Sequence, residues 1–172
     1  MTSGLRRRLI LTRHAKSAWD DPALDDHDRP LNGRGLRAAR ELGDWLASRG
    51  YLPEEVLCSS ARRTQQTWAA IAATPLEVIP KVKLIPGLYH ASSDRMLAIL
   101  QKASADTVML LGHNPGIAEC AAMLCATPPP NAKFRRYPTA ATLVVDFHVA
   151  AWNDVRPSLG DVRDFFTPTA GE

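Results

Sequence analysis

Short apolar runs of strand length alternate along this chain with longer segments whose apolar residues recur at helical spacing, and no other feature constrains the fold as much. Leu9-Ile10-Leu11 lies in a run at 8–13, Val56-Leu57 in one at 55–58, and Val108-Met109-Leu110-Leu111 in one at 107–111. Between them, residues 33–49, 59–73 and 93–102 read as helices, and another helix follows Pro115 as far as about Cys125. Weaker strands are expected at 78–85, interrupted by Pro80, at 142–148 and at 162–166. Strand–helix alternation of this kind specifies an α/β fold with a mainly parallel sheet and helices on both faces. A length of 172 residues suits one domain over 1–172.

Helical spacing also predicts the inward faces. Leu36, Ala39, Gly43 and Leu46 share one side of the 33–49 helix, with the pairs Arg37/Glu41 and Arg40/Asp44 on the wet side and Gly50 as the stop. Ser59-Ser60 offers an N-cap to the next helix, whose inward residues are Trp68, Ile71 and Ala72 and which Pro75 ends. In 93–102 the inward residues are Met96, Leu97 and Leu100, and Asn114 with Pro115 reads as N-cap and N1 of the last helix. Residues 16–32 and 127–138 read as loops, the first rich in Asp and Pro, the second in Pro, Lys and Arg. Long loops in compact domains are often functional.

Bulk chemistry removes several classes. Lys plus Arg outnumber Asp plus Glu by 21 to 18, a net charge of +3, too small a surplus for a nucleic-acid binder but suited to an anionic substrate. Arg6-Arg7-Arg8 precedes only three apolar residues, whereas a signal sequence needs about 7–15. No run approaches the roughly 18–20 apolar residues of a membrane span, so a cytoplasmic location and no membrane partner are expected. Cys58, Cys120 and Cys125 are too few and too odd in number for a disulfide framework and read as packed thiols. A monomer is expected.

Chemistry gathers at the strand ends. Ligands of open α/β sheets bind beyond the carboxyl ends of the strands. Arg13-His14 closes the first strand, residues 59–63 follow the second, and Gly112-His113-Asn114 closes the run at 107–111. The fold would bring Arg13, Arg63, His14, His113 and two helix N-termini to one edge. Arginine forks and helix N-termini suit a phosphoryl dianion, and a neutral imidazole supplies a nucleophile.

These residues resemble known motifs. Thr12-Arg13-His14-Ala15-Lys16-Ser17 resembles the Arg-His-Gly signature of the histidine phosphatase superfamily, also called phosphoglycerate mutase-like, with Ala15 where Gly is common. The segments from Ser59 through Thr67, Gly112-His113-Asn114-Pro115, and Asp28-Arg29-Pro30-Leu31-Asn32 with Arg34-Gly35 resemble further motifs of that family. The set spans residues 8 to about 120 and points to the small SixA-like branch of phosphohistidine phosphatases. The resemblance implies a three-layer α/β/α sandwich. It implies that His14 attacks phosphorus and becomes a phosphohistidine, that Arg13, Arg63 and His113 hold the phosphoryl oxygens, and that neither metal nor organic cofactor is needed. Lys16, Ser17, Arg29 and Asn114 are candidates for substrate contacts.

Several questions stay open at this level. No Asp or Glu stands between Leu84 and Ser93, where larger members carry a proton donor, so the acid is His90, Asp20, Asp21 or none. The substrate is a phosphorylated protein, phosphohistidine first, or a small phosphate monoester. Lys133, Arg135 and Arg136 form a solvated basic loop or a dock for an acidic surface. Rival classes are a non-catalytic phosphate-binding adaptor, a metal hydrolase, for which no compact ligand motif such as HExxH is present, and a cysteine phosphatase, for which the loop from Cys58 to Arg63 is one residue short.

Overall fold

The computed structural model describes residues 5–75, 77 and 79–169. Among these, six strands join one sheet: β1 (Arg7–Arg13), β2 (Glu55–Ser59), β3 (Lys81–Ile85), β4 (Thr107–Gly112), β5 (Thr142–Phe147) and β6 (Asp161–Phe166). Their spatial order is β3-β2-β4-β1-β5-β6. The first four lie parallel, and β5 and β6 add an antiparallel edge. The sheet is therefore mainly parallel, as the alternation predicts.

Helices cover both faces. Along β1, Leu9 and Leu11 point to one side and Ile10 to the other, the period-two alternation of a strand. The first side packs on α3 (Ser93–Leu100) and α4 (Gly116–Leu124) through Met96, Leu100, Ile117 and Leu124. The second packs on α1 (Gly33–Arg49) and α2 (Arg62–Ala72) through Leu42, Leu46 and Ile71. This is the three-layer α/β/α sandwich. No helix among the described residues is long and apolar enough to cross a membrane.

Local chemistry sets the element boundaries. The Asn32 side chain accepts from the Gly35 N–H at 2.8 Å and starts α1, and Gly50, at φ 72°, closes it in the left-handed region. β3 begins just past Pro80, which has no N–H for a ladder, and Val78 lies outside the described residues.

Some expected faces and caps are corrected. Leu36 is exposed, and the buried stripe of α1 runs through Gly35, Ala39, Leu42 and Leu46. The stripe is set by Gly35, where a Cβ would come within 2.1 Å of the Lys16 carbonyl oxygen. Ala72 is exposed and Trp68 only partly covered. α2 starts after Ala61 with no side-chain cap, because the Ser59 hydroxyl is engaged by His113 at 2.7 Å and that of Ser60 by His27 at 3.0 Å. Pro115, not Asn114, occupies the cap position of α4, although the Asn114 side chain still accepts from the Ala118 N–H at 3.3 Å.

Candidate active site

β1 and β4 are neighbours with Arg13 opposite Gly112, so the residues that follow them, His14 and His113, emerge side by side. Their ring centroids are 5.3 Å apart. β2 flanks β4 with Cys58 opposite Leu111 and delivers Ser59 and the first turn of α2 to the same edge. The backbone of His14 is held on both sides: its N–H donates to Gly112 O at 3.1 Å, and its carbonyl accepts from the Ala140 N–H at 3.0 Å. Thr67 joins the segment after β1 to the start of α2, accepting from the Ala15 N–H at 3.0 Å and donating to Arg63 O at 2.7 Å.

The two imidazoles have different settings. Nδ1 of His14 is 2.7 Å from Ala15 O, which can only accept, so Nδ1 carries the proton and Nε2 keeps its lone pair. Burial pushes the His14 pKa down to about 3; the Ala15 hydrogen bond opposes this, while Arg13, His113 and Arg63 reinforce it. The ring is thus neutral at ordinary pH. His113 is likewise lowered to about 3, first by burial and then by Arg63. Its Nε2 is 2.7 Å from the Ser59 hydroxyl, whose oxygen also receives the Ala61 N–H at 3.4 Å. With the hydroxyl donating to Nε2, the proton sits on the buried Nδ1, where it is a donor for an oxygen in the cavity.

Arg63 is 3% exposed despite its charge. Nη1 donates to Asp26 O at 2.7 Å and Nη2 to the Asp26 carboxylate at 3.0 Å. That carboxylate also accepts from Arg29 at 2.8 Å and from the Tyr89 hydroxyl. Burial alone would raise the Asp26 pKa, but the hydrogen bonds from Tyr89 and Arg63 hold it at about 2. Asp26 is therefore an ionised hub that fixes two guanidinium groups. Arg13 donates to Tyr137 O at 3.1 Å, so the loop after α4 aims the other site arginine.

A cavity of about 350 Å³ opens between these groups, bordered by Arg13, His14, Arg63 and His113. The four candidates for substrate contacts border it too. Lys16 stands half-buried at its wall. Ser17 and Arg29 are committed to one another, with Arg29 Nη2 donating to Ser17 Oγ at 3.1 Å. Asn114 spends its amide N–H groups on the carbonyls of Arg136 and Tyr137, at 3.0 and 3.1 Å. Its geometry is that of a brace between α4 and the following loop.

Of the three acid candidates, His90 borders the cavity, at φ 55°, with Nε2 3.5 Å from the Asp26 carboxylate. Asp20 and Asp21 are exposed and border no part of it. The loop 127–138 is more than a basic surface. Arg135 and Arg136 are exposed, but Phe134 and Tyr137 are buried in the core, and the Tyr137 hydroxyl bridges β1 and β5. Cys58 is buried with its pKa pushed up to about 12, opposite to what a thiolate nucleophile requires. Among the described residues no group of three or more His, Cys, Asp or Glu could hold a metal.

Asp26, Thr67 and Tyr137 escape sequence reasoning. Asp26 is one of several aspartates in a polar loop, and only its fold partners distinguish it. Tyr89 beside His90 is visible as an aromatic pair, but its bond to Asp26 spans 63 residues.

Comparisons with known proteins agree with this architecture. The family model of the histidine phosphatase superfamily (branch 1) matches residues 9–86. An uncharacterized chloroplastic protein of Arabidopsis thaliana is 37% identical over 133 residues, 72% of this chain but 61% of that protein, so the match spans less than two thirds of its length. An uncharacterized protein of Mycobacterium tuberculosis is 31% identical over 164 residues, covering 91% of this chain and 99% of the relative. Among solved structures, a protein assigned as the phosphohistidine phosphatase SixA of Nakamurella multipartitia superposes with a TM-score of 0.80 at 31% identity, covering 95% of this chain and 97% of that one. The protein histidine phosphatase SixA complexed with tungstate shares the fold, with a TM-score of 0.71 at 23% identity over 94% and 97% of the two chains. The class is thus the phosphoglycerate mutase-like α/β fold. Within it, this chain belongs to the histidine phosphatase superfamily.

Proposed function

We propose that this chain is a phosphatase that works through a phosphohistidine on His14, and that its substrate is protein phosphohistidine. One observation carries the proposal. The His14 ring is held as the Nδ1–H tautomer by Ala15 O at 2.7 Å, so the Nε2 lone pair is available in a cavity bordered by Arg13, Arg63 and His113. A lone pair of this kind serves attack, whereas simple anion binding would use an N–H donor or a cation.

In the first step Nε2 bonds to phosphorus, and the bond from phosphorus to the leaving group breaks with its electron pair going to that group. Arg13, Arg63 and the Nδ1–H of His113 take the charge that collects on the phosphoryl oxygens. Phosphorylated His14 then has no lone pair at Nε2, and Nδ1–H still rests on Ala15 O. In the second step water bonds to phosphorus and the P–N bond breaks. Inorganic phosphate leaves, and the electron pair returns to Nε2.

The leaving group favours phosphohistidine. An imidazole departs from phosphorus more readily than an alkoxide and asks less of a proton donor. The ionised Asp26 cannot donate a proton, and His90, 3.5 Å from it, is the donor we assign for harder leaving groups. Proteins assigned as phosphohistidine phosphatases among the structural relatives point the same way. Turnover of a phosphohistidine protein and of several phosphate monoesters by wild type and His14→Ala tests the proposal. Fast release from phosphohistidine, abolished by the substitution, supports it. Undiminished turnover in His14→Ala rejects it.

A further inference from the structure

Trp19 is 75% exposed at the rim of the phosphoryl cavity, whereas Trp152 is buried and Trp45 and Trp68 are part-covered. The ring is not loose. The guanidinium carbon of Arg29 lies 3.4 Å from its centroid, and Arg29 is 9% exposed. That guanidinium is fixed in turn by the Asp26 carboxylate at 2.8 Å and by Ser17 Oγ at 3.1 Å. The chain beside the ring is held by the Ser17–Leu31 bridge and by the Ala18 N–H donating to Pro30 O at 2.8 Å. One face of the indole is thus covered by a pinned cation, and the side chain still borders the cavity.

Phosphoryl transfer itself has no use for such a group. It needs charge and N–H donors, which Arg13, Arg63 and His113 supply. A large flat ring held rigid beside them offers preorganised aromatic surface to a group bound next to the phosphoryl site. Its chemistry serves whatever is attached to phosphorus.

We infer that Trp19 is a stacking platform that selects substrates carrying a flat ring next to the phosphoryl group, either the imidazole of phosphohistidine or the aryl group of a small phosphate. The inference rests on the phosphatase reading of this cavity and names the specificity of that same site.

Two measurements separate the inference from the reading beneath it. Affinities for phenylphosphonate and methylphosphonate, which are not hydrolysed, are compared by calorimetry in wild type, Trp19→Ala and Trp19→Phe. Aromatic stacking predicts a preference for the phenyl compound of about tenfold in wild type, kept for the most part in Trp19→Phe and reduced to about twofold or less in Trp19→Ala. No preference in wild type, or an undiminished preference in Trp19→Ala, overturns the platform, whatever the turnover assays give. Failure of wild type to turn over any phosphorylated substrate would instead strike the phosphatase reading. The source of the ring follows from kcat/KM of Trp19→Ala. A loss on a phosphohistidine peptide assigns the platform to protein substrates, and a loss on phenyl phosphate alone assigns it to small aryl phosphates. No loss on either overturns it.

Discussion

Asp26 and Arg63 form a two-point contact in which Nη1 donates to the Asp26 carbonyl at 2.7 Å and Nη2 to its carboxylate at 3.0 Å. The contact ties the loop after β1 to the first turn of α2 and fixes the plane of a buried guanidinium. Catalysis by positioning is sensitive to small displacements of such a group. Asp26→Ala is expected to lower kcat by about 10- to 100-fold. Both variants keep the backbone carbonyl contact, and Asp26→Asn, which also keeps one side-chain oxygen, is expected to lose less. Steady-state kinetics on one substrate checks both, and equal activity in Asp26→Ala and wild type would remove Asp26 from the machinery.

His90 stands at the cavity wall with its Nε2 3.5 Å from the same carboxylate. As a proton donor it should matter in proportion to the basicity of the leaving group. His90→Ala is expected to cost about 10²-fold or more on alkyl phosphates and much less on phosphohistidine. A uniform loss on both would mean that His90 shapes the cavity without moving a proton.

How legible the site was depended on whether neighbours in sequence or neighbours in space define each residue. Arg13 and His14 stand at the end of the first strand and His113 just past Gly112 at the end of the run at 107–111, so strand–helix alternation and the rule for parallel sheets carry them to one edge. The helix over 33–49 is legible because its apolar residues recur at helical spacing and Gly50 closes it, whereas its Asn32 cap emerges only in the fold. Leu36 misleads because α1 is docked by the close approach of Gly35 to the Lys16 backbone, a contact that no helical wheel encodes. Ser59 and Ser60 look like N-caps, yet their hydroxyls are drawn to His113 and His27. Asp26 lies in a run of similar aspartates, and its partners Arg63 and Tyr89 are distant in the chain.

Gly35 makes a direct stability test. A Cβ there would lie 2.1 Å from the Lys16 carbonyl oxygen and 2.9 Å from its nitrogen, both backbone atoms. Gly35→Ala must push α1 away from the segment that follows His14. The expected cost is about 1–3 kcal/mol or more, read as a lowered denaturant midpoint, together with weakened turnover. Gly33→Ala, whose Cβ would meet only the end of the Arg37 side chain at 3.4 Å, is the contrasting control.

Acid should destabilise the fold well before carboxylates begin to protonate. His14 and His113 have native pKa values lowered to about 3 from 6.5, chiefly by burial. The unfolded chain therefore binds more protons than the native one between these values. Their contribution is fully present above about pH 6.5 and is lost as pH falls toward 3. Asp26, held at about 2 against 3.8, adds a loss in the same direction at lower pH. Denaturant midpoints measured from pH 7.5 to 4.5 should fall in wild type and fall less steeply in a His14→Asn, His113→Asn double variant. A flat wild-type profile would contradict the neutral, buried state of both rings.

The covalent step can be observed directly. Wild type mixed with a phosphohistidine protein is quenched in alkaline denaturant, which preserves phosphohistidine, and the phosphate is located by peptide mass spectrometry. The predicted result is a phosphate on the peptide containing His14 that appears and decays during turnover and is absent from His14→Ala. Phosphate on any other residue, or steady turnover by His14→Ala, would contradict the account.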